Sequence, residues 1–367
     1  MTIPLTLARY FAWRFAGATF AVFGGVFVLV VLVDYVELTR RAADIPNISP
    51  LIVAQTSLFR VPQATERMLP FSVLVGAMAC YLNLSRRLEL VIARAAGMSA
   101  WQFVAPAVVI ALLIGAVVTT AYNPLSASLR ERSKRLESEL FGERPSGGPL
   151  QAGVGSFWVR QRGVDGRQAI INALGSREQG ARLDGVTIFT YDPTGHFEER
   201  IEARNAALEP GHWRLEAVRI YASGAAPRDL DAHLLSTTLT SEQVQESFAT
   251  PETVSFWQLP LYISRAEQAG LGATGYRLQY QLLLAQPFLL AGMVLLAASV
   301  SLRFFRFGGV PKMVLSGVGA GFLLYVLSKV TTDLSKAELM HPGAAAWVPV
   351  LFGVVTGFVV LLYQEDG

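Results

Sequence analysis

Six long apolar runs, three before residue 123 and three after residue 277, flank one long polar insert. The runs are Phe15 to Val33, Met68 to Ser85, the middle of Ala95 to Leu129, Leu278 to Leu302, Met313 to Ser328 and Pro342 to Gln364. Each is near the ~20 residues that a helix needs to cross a bilayer. The shorter ones gain reach from flanking Arg and Lys, whose stems extend to the headgroups. Hydrophobic residues are 52% of the chain and charged ones 16%, whereas a soluble globular protein is roughly one quarter charged. The excess lies in the six runs, so the chain is expected to be an α-helical membrane protein with six transmembrane helices and an inserted domain. A net charge of +3 is too small to signal nucleic-acid binding.

Lys and Arg in short loops set the expected orientation. One side holds Arg9, Arg14, Arg86, Arg87, Arg94, Arg303, Arg306 and Lys312, the other Arg40, Arg41, Arg60 and Lys336. The first set is the larger and is read as cytoplasmic, which places both termini in the cytoplasm and the insert outside. The first run follows Arg9 and Arg14 as a signal peptide would, but no small-residue cleavage site follows, so it reads as an uncleaved helix. Cys80 is the sole cysteine, which excludes an intrachain disulfide, and His196, His212, His233 and His341 lack metal-ligand spacing. No metal or cofactor is expected in the chain. A phosphate loop of the G-x-x-x-x-G-K type is absent as well, so ATP chemistry by that route belongs to another subunit.

The insert changes character along its length. Residues 124 to 141 read as a charged helix continuing the third span, stopped by Gly142 and Pro145. Residues 153 to 240 carry short alternating runs such as Phe157-Trp158-Val159, Ala169-Ile170-Ile171, Val186 to Phe189 and Trp213 to Tyr221. Turn signals at Asp165-Gly166, Asp192 to Gly195 and Glu209-Pro210-Gly211 separate them, which predicts an all-β sandwich or jelly roll. Phe157, Ile171, Ile188 and Trp213 are expected in its core, although a roll that opens would also take acyl chains. A helix from Phe256 to Ala269 is expected to return the chain to the fourth span. The domain boundaries that follow are 1–122 for the first three spans, 123–277 for the β-domain with flanking helices, and 278–367 for the last three spans.

The loop between spans two and three carries a short helix at about 86–96. Ser85 is a candidate N-cap and Gly97 a candidate C-terminal stop. Leu88, Val91, Ile92 and Ala95 fall on one face, with Arg86, Glu89 and Arg94 off it. Two readings stand: a helix lying on the headgroups, or a coupling helix that docks on a cytoplasmic ATPase through Arg86, Arg87, Glu89, Arg94 and Gly97, with Glu89 paired to a basic group there.

Residues 85 to 99, Ser-Arg-Arg-Leu-Glu-Leu-Val-Ile-Ala-Arg-Ala-Ala-Gly-Met-Ser, resemble the Ser-Glu-Leu-x-x-x-x-Ala-x-Gly coupling segment of the LptF/LptG permease family. The resemblance covers the whole chain: three spans, a β-jelly-roll domain, three spans. Val36 to Arg41 and Leu302 to Gly309 resemble the LptG branch more than the LptF branch. The resemblance implies a permease subunit of an ABC transporter that extracts lipopolysaccharide from the inner membrane. It implies a paralogous permease LptF, a dimer of the ATPase LptB that uses ATP and Mg, and a periplasmic route through LptC and LptA. It also implies gates between span one of one permease and span five of the other.

Asp34, Glu37, Arg40 and Arg41 at the outer end of span one, and Lys329 near the outer end of span five, are accordingly the candidate substrate gate. Arg and Lys suit the phosphates of lipid A, and the alternative reading makes them headgroup anchors. LptG proteins tend to be basic where this chain has Asp34, so Asp34 is expected to pair with a neighbour such as Lys329. Gly317 and Gly321 form a G-x-x-x-G in span five, expected to pack a helix closely. Pro62 and Pro70 are expected to bend or start span two.

Moving several acyl chains through water would cost on the order of tens of kcal/mol at ~0.8 kcal/mol per methylene, so an extracting machine must keep them in apolar surroundings throughout. A rival reading is a mechanotransmitting ABC subunit that moves an external domain without carrying lipid. A membrane hydrolase is disfavoured by the lack of clustered His, paired intramembrane carboxylates or a nucleophile motif.

Overall fold

The structure, a computed structural model, describes residues 5–43, 49–141, 157–162, 167–177, 181–192, 194, 196–222, 226–237, 251–268, 273–305 and 310–365. The chain forms two compact units, Met1–Glu137 with Pro251–Pro260 and Thr274–Gly367, and Ser138–Thr250 with Leu261–Ala273.

Six helical stretches are long and apolar enough to cross a membrane. In chain order the helices are α1 (Leu5–Ala42), α2 (Pro50–Arg86), α3 (Glu89–Ala95), α4 (Ala100–Val117), α5 (Asn123–Phe141), α6 (Leu259–Gln268), α7 (Thr274–Phe305), α8 (Val310–Lys336) and α9 (Pro342–Glu365). A π-helical turn at Val118–Tyr122 joins α4 to α5. With 38 residues, α1 is ~57 Å long at 1.5 Å per residue, nearly twice the ~30 Å hydrocarbon thickness. The apolar runs therefore mark only part of the longer helices: the middle of α1 and the C-terminal half of α2. Pro62 and Pro70 both lie inside α2, which starts at Pro50, so neither proline starts the span.

α2 and α7 form the centre, with 61% and 67% of their most apolar windows buried, while α1 and α8 bury only 6% and 22%. Phe15 of α1, Val73, Leu74 and Ala77 of α2, Phe103 and Val104 of α4, Leu290 and Val294 of α7, and Leu324 of α8 make the shared core. Between membrane helices the hydrophobic effect adds little, and close approach at small residues takes its place. A Cβ at Gly115 would collide with the Pro287 backbone, and one at Gly76 with that of Thr19. Gly317 and Gly321 face Met78 and Leu74 of α2, so this G-x-x-x-G seats α8 on its own chain.

The second unit holds six antiparallel strands, β1 (Phe157–Arg162), β2 (Gln168–Arg177), β3 (Arg182–Tyr191), β4 (Phe197–Glu209), β5 (His212–Ala222) and β6 (Arg228–Ser236), in one sheet of order β1 to β6. The chain is thus a six-helix membrane protein with an inserted all-β domain, as expected. Each described strand pairs with its neighbours in sequence, so the order is a meander and lacks the crossovers of a two-Greek-key jelly roll. Tight turns favour that order: β4 and β5 are joined across Pro210 and Gly211, the latter at φ +84°. The roll comes from curling. Gln161 of β1 donates Nε2 to the Ser236 carbonyl of β6 at 3.3 Å and accepts from Thr237 Oγ1 at 2.6 Å and Trp213 Nε1 at 3.2 Å. The two outer strands of the meander are thereby tied at one end. Ile171, Leu183, Ile188, Ile201, Trp213 and Leu215 fill the inner face, by the period of two along each strand. The Phe157 side chain lies outside the described ones.

Candidate functional site

α3 begins at Glu89 rather than at Arg86. α2 runs on through Arg86, and the break falls at Leu88, whose φ of 62° is left-handed. Ser85 therefore sits in the last turn of α2, where its Oγ is buried without a partner, and it caps nothing. The other end is as read. Gly97, at φ +81°, follows the C-cap, with Met98 N donating to Ala93 O at 3.1 Å and Gly97 N to Arg94 O at 2.9 Å. That pair of bonds is a Schellman motif, which only a residue tolerant of positive φ closes cheaply.

Leu90 and Ala93 turn inward, while Leu88, Val91 and Ile92 are exposed. The apolar face seen in the sequence is the outward one. Glu89 accepts from Tyr10 Oη at 2.9 Å, and Tyr10 Oη in turn accepts from Arg14 Nε at 3.0 Å. Arg94 lies over the Phe103 ring, 6.0 Å from its centroid. Arg86 and Arg87 are exposed, and neither side chain has an ion pair or hydrogen bond among the described residues.

The opposite end of the helices gathers the other charged candidates, in pairings the sequence did not disclose. Asp34 pairs with Arg60 of α2 at 3.1 Å, not with Lys329. Lys329 pairs with Asp333 one turn on, at 3.0 Å. Arg40 and Arg41 both reach back to Glu37, at 3.5 and 2.9 Å, spacings that helix geometry makes adjacent. The structure thus brings Glu37, Arg40 and Arg41 together on α1 and leaves Lys329 on α8, with α2 packed against both helices.

Arg60 is the residue that sequence reasoning missed. Its guanidinium also meets Glu137 of α5 at 3.3 Å, and Arg130 approaches Glu137 at 3.6 Å. Two cations and two anions link α1, α2 and α5, with side-chain exposures of 14% for Asp34 and 26% for Arg60. A second cluster holds the chain where it returns to the membrane unit. Glu66 accepts from Asn123 Nδ2 and Ser126 Oγ, both at 3.0 Å, and Asn123 Oδ1 accepts from Phe256 N at 2.9 Å. Trp257 Nε1 donates to Thr120 O at 2.9 Å in the π-helical turn. Phe256 and Trp257 are thus engaged, so α6 starts at Leu259; its expected end at Ala269 lies outside the described residues. The only sequence signal was a polar set, Glu66, Asn123 and Ser126, at the edge of apolar runs.

Residues 9–363 match the family model described as lipopolysaccharide export system permease LptF/LptG. Among curated proteins, the lipopolysaccharide export system permease protein LptG of Haemophilus influenzae is 23% identical, over 98% of this chain and 99% of that protein. LptG of Escherichia coli is also 23% identical, over 87% of each. With six spans, an inserted β-domain and a family match over nearly its full length, this chain belongs to the LptF/LptG family of lipopolysaccharide export system permeases.

Proposed function

We propose that this chain is the LptG-type permease subunit of an inner-membrane ABC transporter that extracts lipopolysaccharide and passes it to a periplasmic bridge. A separate cytoplasmic LptB dimer would supply the work from ATP and Mg, an LptF paralogue would complete the membrane cavity, and LptC and LptA would receive the substrate. Both termini and α3 face the cytoplasm in this reading, and the β-domain faces the periplasm.

The observation that carries the reading is the outward apolar face of α3. Leu88, Val91 and Ile92 stand clear of the chain's own core on a helix held at both ends, by the Leu88 break and by the Gly97 motif. A helix presented in this way suits insertion into a groove of a partner, with Glu89 beside the apolar ridge for a basic group. A helix merely lying on headgroups would not require Glu89 as carboxylate. Co-purification with LptB separates the two: loss of the ATPase on Glu89→Lys, with a milder loss on Glu89→Gln, supports docking, and undiminished recovery with Glu89→Lys removes it.

The transport role draws support from α1 and α8. Both leave most of their apolar surface outside the core, including Phe20, Leu29 and Val33 of α1 and Leu315, Phe322 and Leu323 of α8. These are the two helices that the family places at lateral gates, one from each permease, and here they stand on either side of α2. A second permease laid against each face would enclose an apolar chamber, which meets the requirement that acyl chains stay out of water. The polar pairs Glu37–Arg41 and Lys329–Asp333 would rim it. A subunit that only moved an external domain would have no use for such a rim.

A further inference from the structure

We propose that a cavity between the first turns of α1 and the last turns of α2 is a binding site for an anionic phospholipid, distinct from the exported substrate, with Arg14 and Arg87 holding the lipid phosphate. The cavity measures about 520 Å³, within the ≈ 300–1,000 Å³ typical of small-molecule sites and far larger than a bare phosphate needs. Its lining divides by chemistry. Arg14, Arg87 and Asn83 supply donors, while Gly17 and Ala79 leave room between the two helices, with Trp13 beside them. Trp13 is 80% exposed, as a tryptophan at the headgroup level is expected to be.

Charge complementarity selects the occupant. Neither Arg14 nor Arg87 forms a salt bridge among the described residues, and the Asn83 side chain makes no hydrogen bond there. Arg14 spends one N–H on Tyr10 Oη, so its remaining donors are free for a phosphate, which guanidinium groups bind by paired charge-assisted bonds. A diacyl lipid matches the rest, since small residues beside the cations accommodate an apolar tail in a segment that is itself membrane-spanning. The site also shares Tyr10 with α3 through the Tyr10–Glu89 bond, so an occupied cavity fixes one end of the chain Arg14–Tyr10–Glu89. The leaflet rests on the orientation given under Proposed function; the binding does not.

The test uses the full chain in nanodiscs of phosphatidylcholine mixed with phosphatidylglycerol, followed by mass-spectrometric measurement of the lipid retained after detergent extraction. Phosphatidylglycerol is expected to be enriched on the wild type and reduced several-fold by Arg14→Gln with Arg87→Gln. Gly17→Leu is expected to reduce it as well, with both cations intact, because nothing lies within 4 Å of a Cβ at Gly17 and the larger side chain has the cavity to fill. Should the double variant fail to fold, Gly17→Leu decides. Equal retention by wild type and Gly17→Leu overturns the proposal, and so does binding of inorganic phosphate with no enrichment of phosphatidylglycerol on the wild type, which would leave a simple anion site. Retention requires neither ATPase nor lipopolysaccharide, so this result and the export reading fail separately.

Discussion

Tyr10 and Glu89 are 79 residues apart in sequence and joined by a 2.9 Å hydrogen bond in space. The bond ties the start of the first span to the first turn of α3, so the helix proposed to receive force is anchored to a helix proposed to form a gate. Glu89 has two oxygens, and Tyr10 engages only Oε2.

That arrangement sharpens the expected effects at Glu89. Glu89→Gln keeps an acceptor for Tyr10 and should lose only the charge-assisted part of any contact with the ATPase. Glu89→Lys removes the acceptor and places a cation near Arg14, and should abolish co-purification with LptB. Tyr10→Phe should be intermediate, because the docking face survives while its tether goes. An exposed hydrogen bond from a phenol to a carboxylate contributes about 1 kcal/mol, so the Tyr10→Phe complex should form with weakened ATPase stimulation.

The Asp34–Arg60–Glu137 cluster makes a different prediction. Arg60 lies between two carboxylates, both little exposed. Removing it with Arg60→Met leaves Asp34 without its partner away from bulk water, while Glu137 keeps Arg130, at a cost on the order of 3 kcal/mol. Asp34→Asn should cost less, since Arg60 retains Glu137. The exchange Asp34→Arg with Arg60→Asp should recover only part of the loss, because Glu137 then faces an Asp. Thermal unfolding of the purified chain reads all three, and an Arg60→Met variant as stable as wild type would show that the cluster contributes nothing.

How much of this was legible follows from what each feature depends on. The six spans depend on local apolar content, and every one was visible. The Gly97 stop depends on a single residue's tolerance for positive φ, and it too was visible. The break at Leu88 was not, because Leu in a left-handed conformation runs against its intrinsic preference. The partner of Asp34 was not visible either. Arg60 reaches it only because α2 begins well before its apolar run, and Lys329 was already satisfied by Asp333 one turn away. In the β-domain, alternation and turns disclosed strands and core positions, whereas the closing contact through Gln161 depends on how far the sheet curls, which no local pattern records.

Acid should loosen the β3–β4 hairpin before the rest of its sheet. Asp192 Oδ1 accepts from Thr194 Oγ1 at 2.7 Å, His196 N at 2.8 Å and Thr194 N at 2.9 Å. The Thr194 hydroxyl foremost, and then the His196 amide, hold its carboxyl down to about 2. A depressed carboxylate contributes stability that is complete above its unfolded value near ~3.9 and lost as pH falls toward the folded one. Hydrogen exchange at the Thr194 and His196 amides should therefore accelerate, relative to the core of the sheet, as pH drops from about 4 to about 2. Asp192→Ala should make that ratio independent of pH, and a wild-type ratio that stays flat over this range would show that the turn is held by other contacts.

Helix packing offers a graded series. Gly115 and Gly76 face backbone atoms of Pro287 and Thr19, which cannot rotate away, whereas Gly317 faces the flexible end of Met78 and Gly24 faces open space. Alanine at Gly115 or Gly76 should cost about 1–3 kcal/mol through overpacking. Alanine at Gly317 should cost less, and at Gly24 nothing beyond a small gain in helix propensity. A uniform response across the four in thermal unfolding would contradict the close contacts.

The gate prediction now has a geometric condition attached. Arg40 and Arg41 lie at the end of α1, Lys329 lies on α8, and α2 packs between the two helices, so no single chain closes an entrance around all three. Each already has a local partner, the lysine in Asp333 and the two arginines in the single carboxylate of Glu37, which leaves that end of α1 one positive charge in excess. A phosphate must therefore compete only with exposed pairs that solvent screens strongly, which keeps the cations available without leaving them bare. Photo-crosslinking groups at positions 40, 41 and 329 should trap lipopolysaccharide in an assembled complex with the second permease, and not on this chain alone. Single alanine substitutions should lower transport modestly, and the triple substitution should lower it by more than the sum, because several donors share one anion. If the three residues are headgroup anchors instead, the triple variant will shift topology or stability while crosslinking to lipopolysaccharide fails at all three positions in an ATPase-active complex.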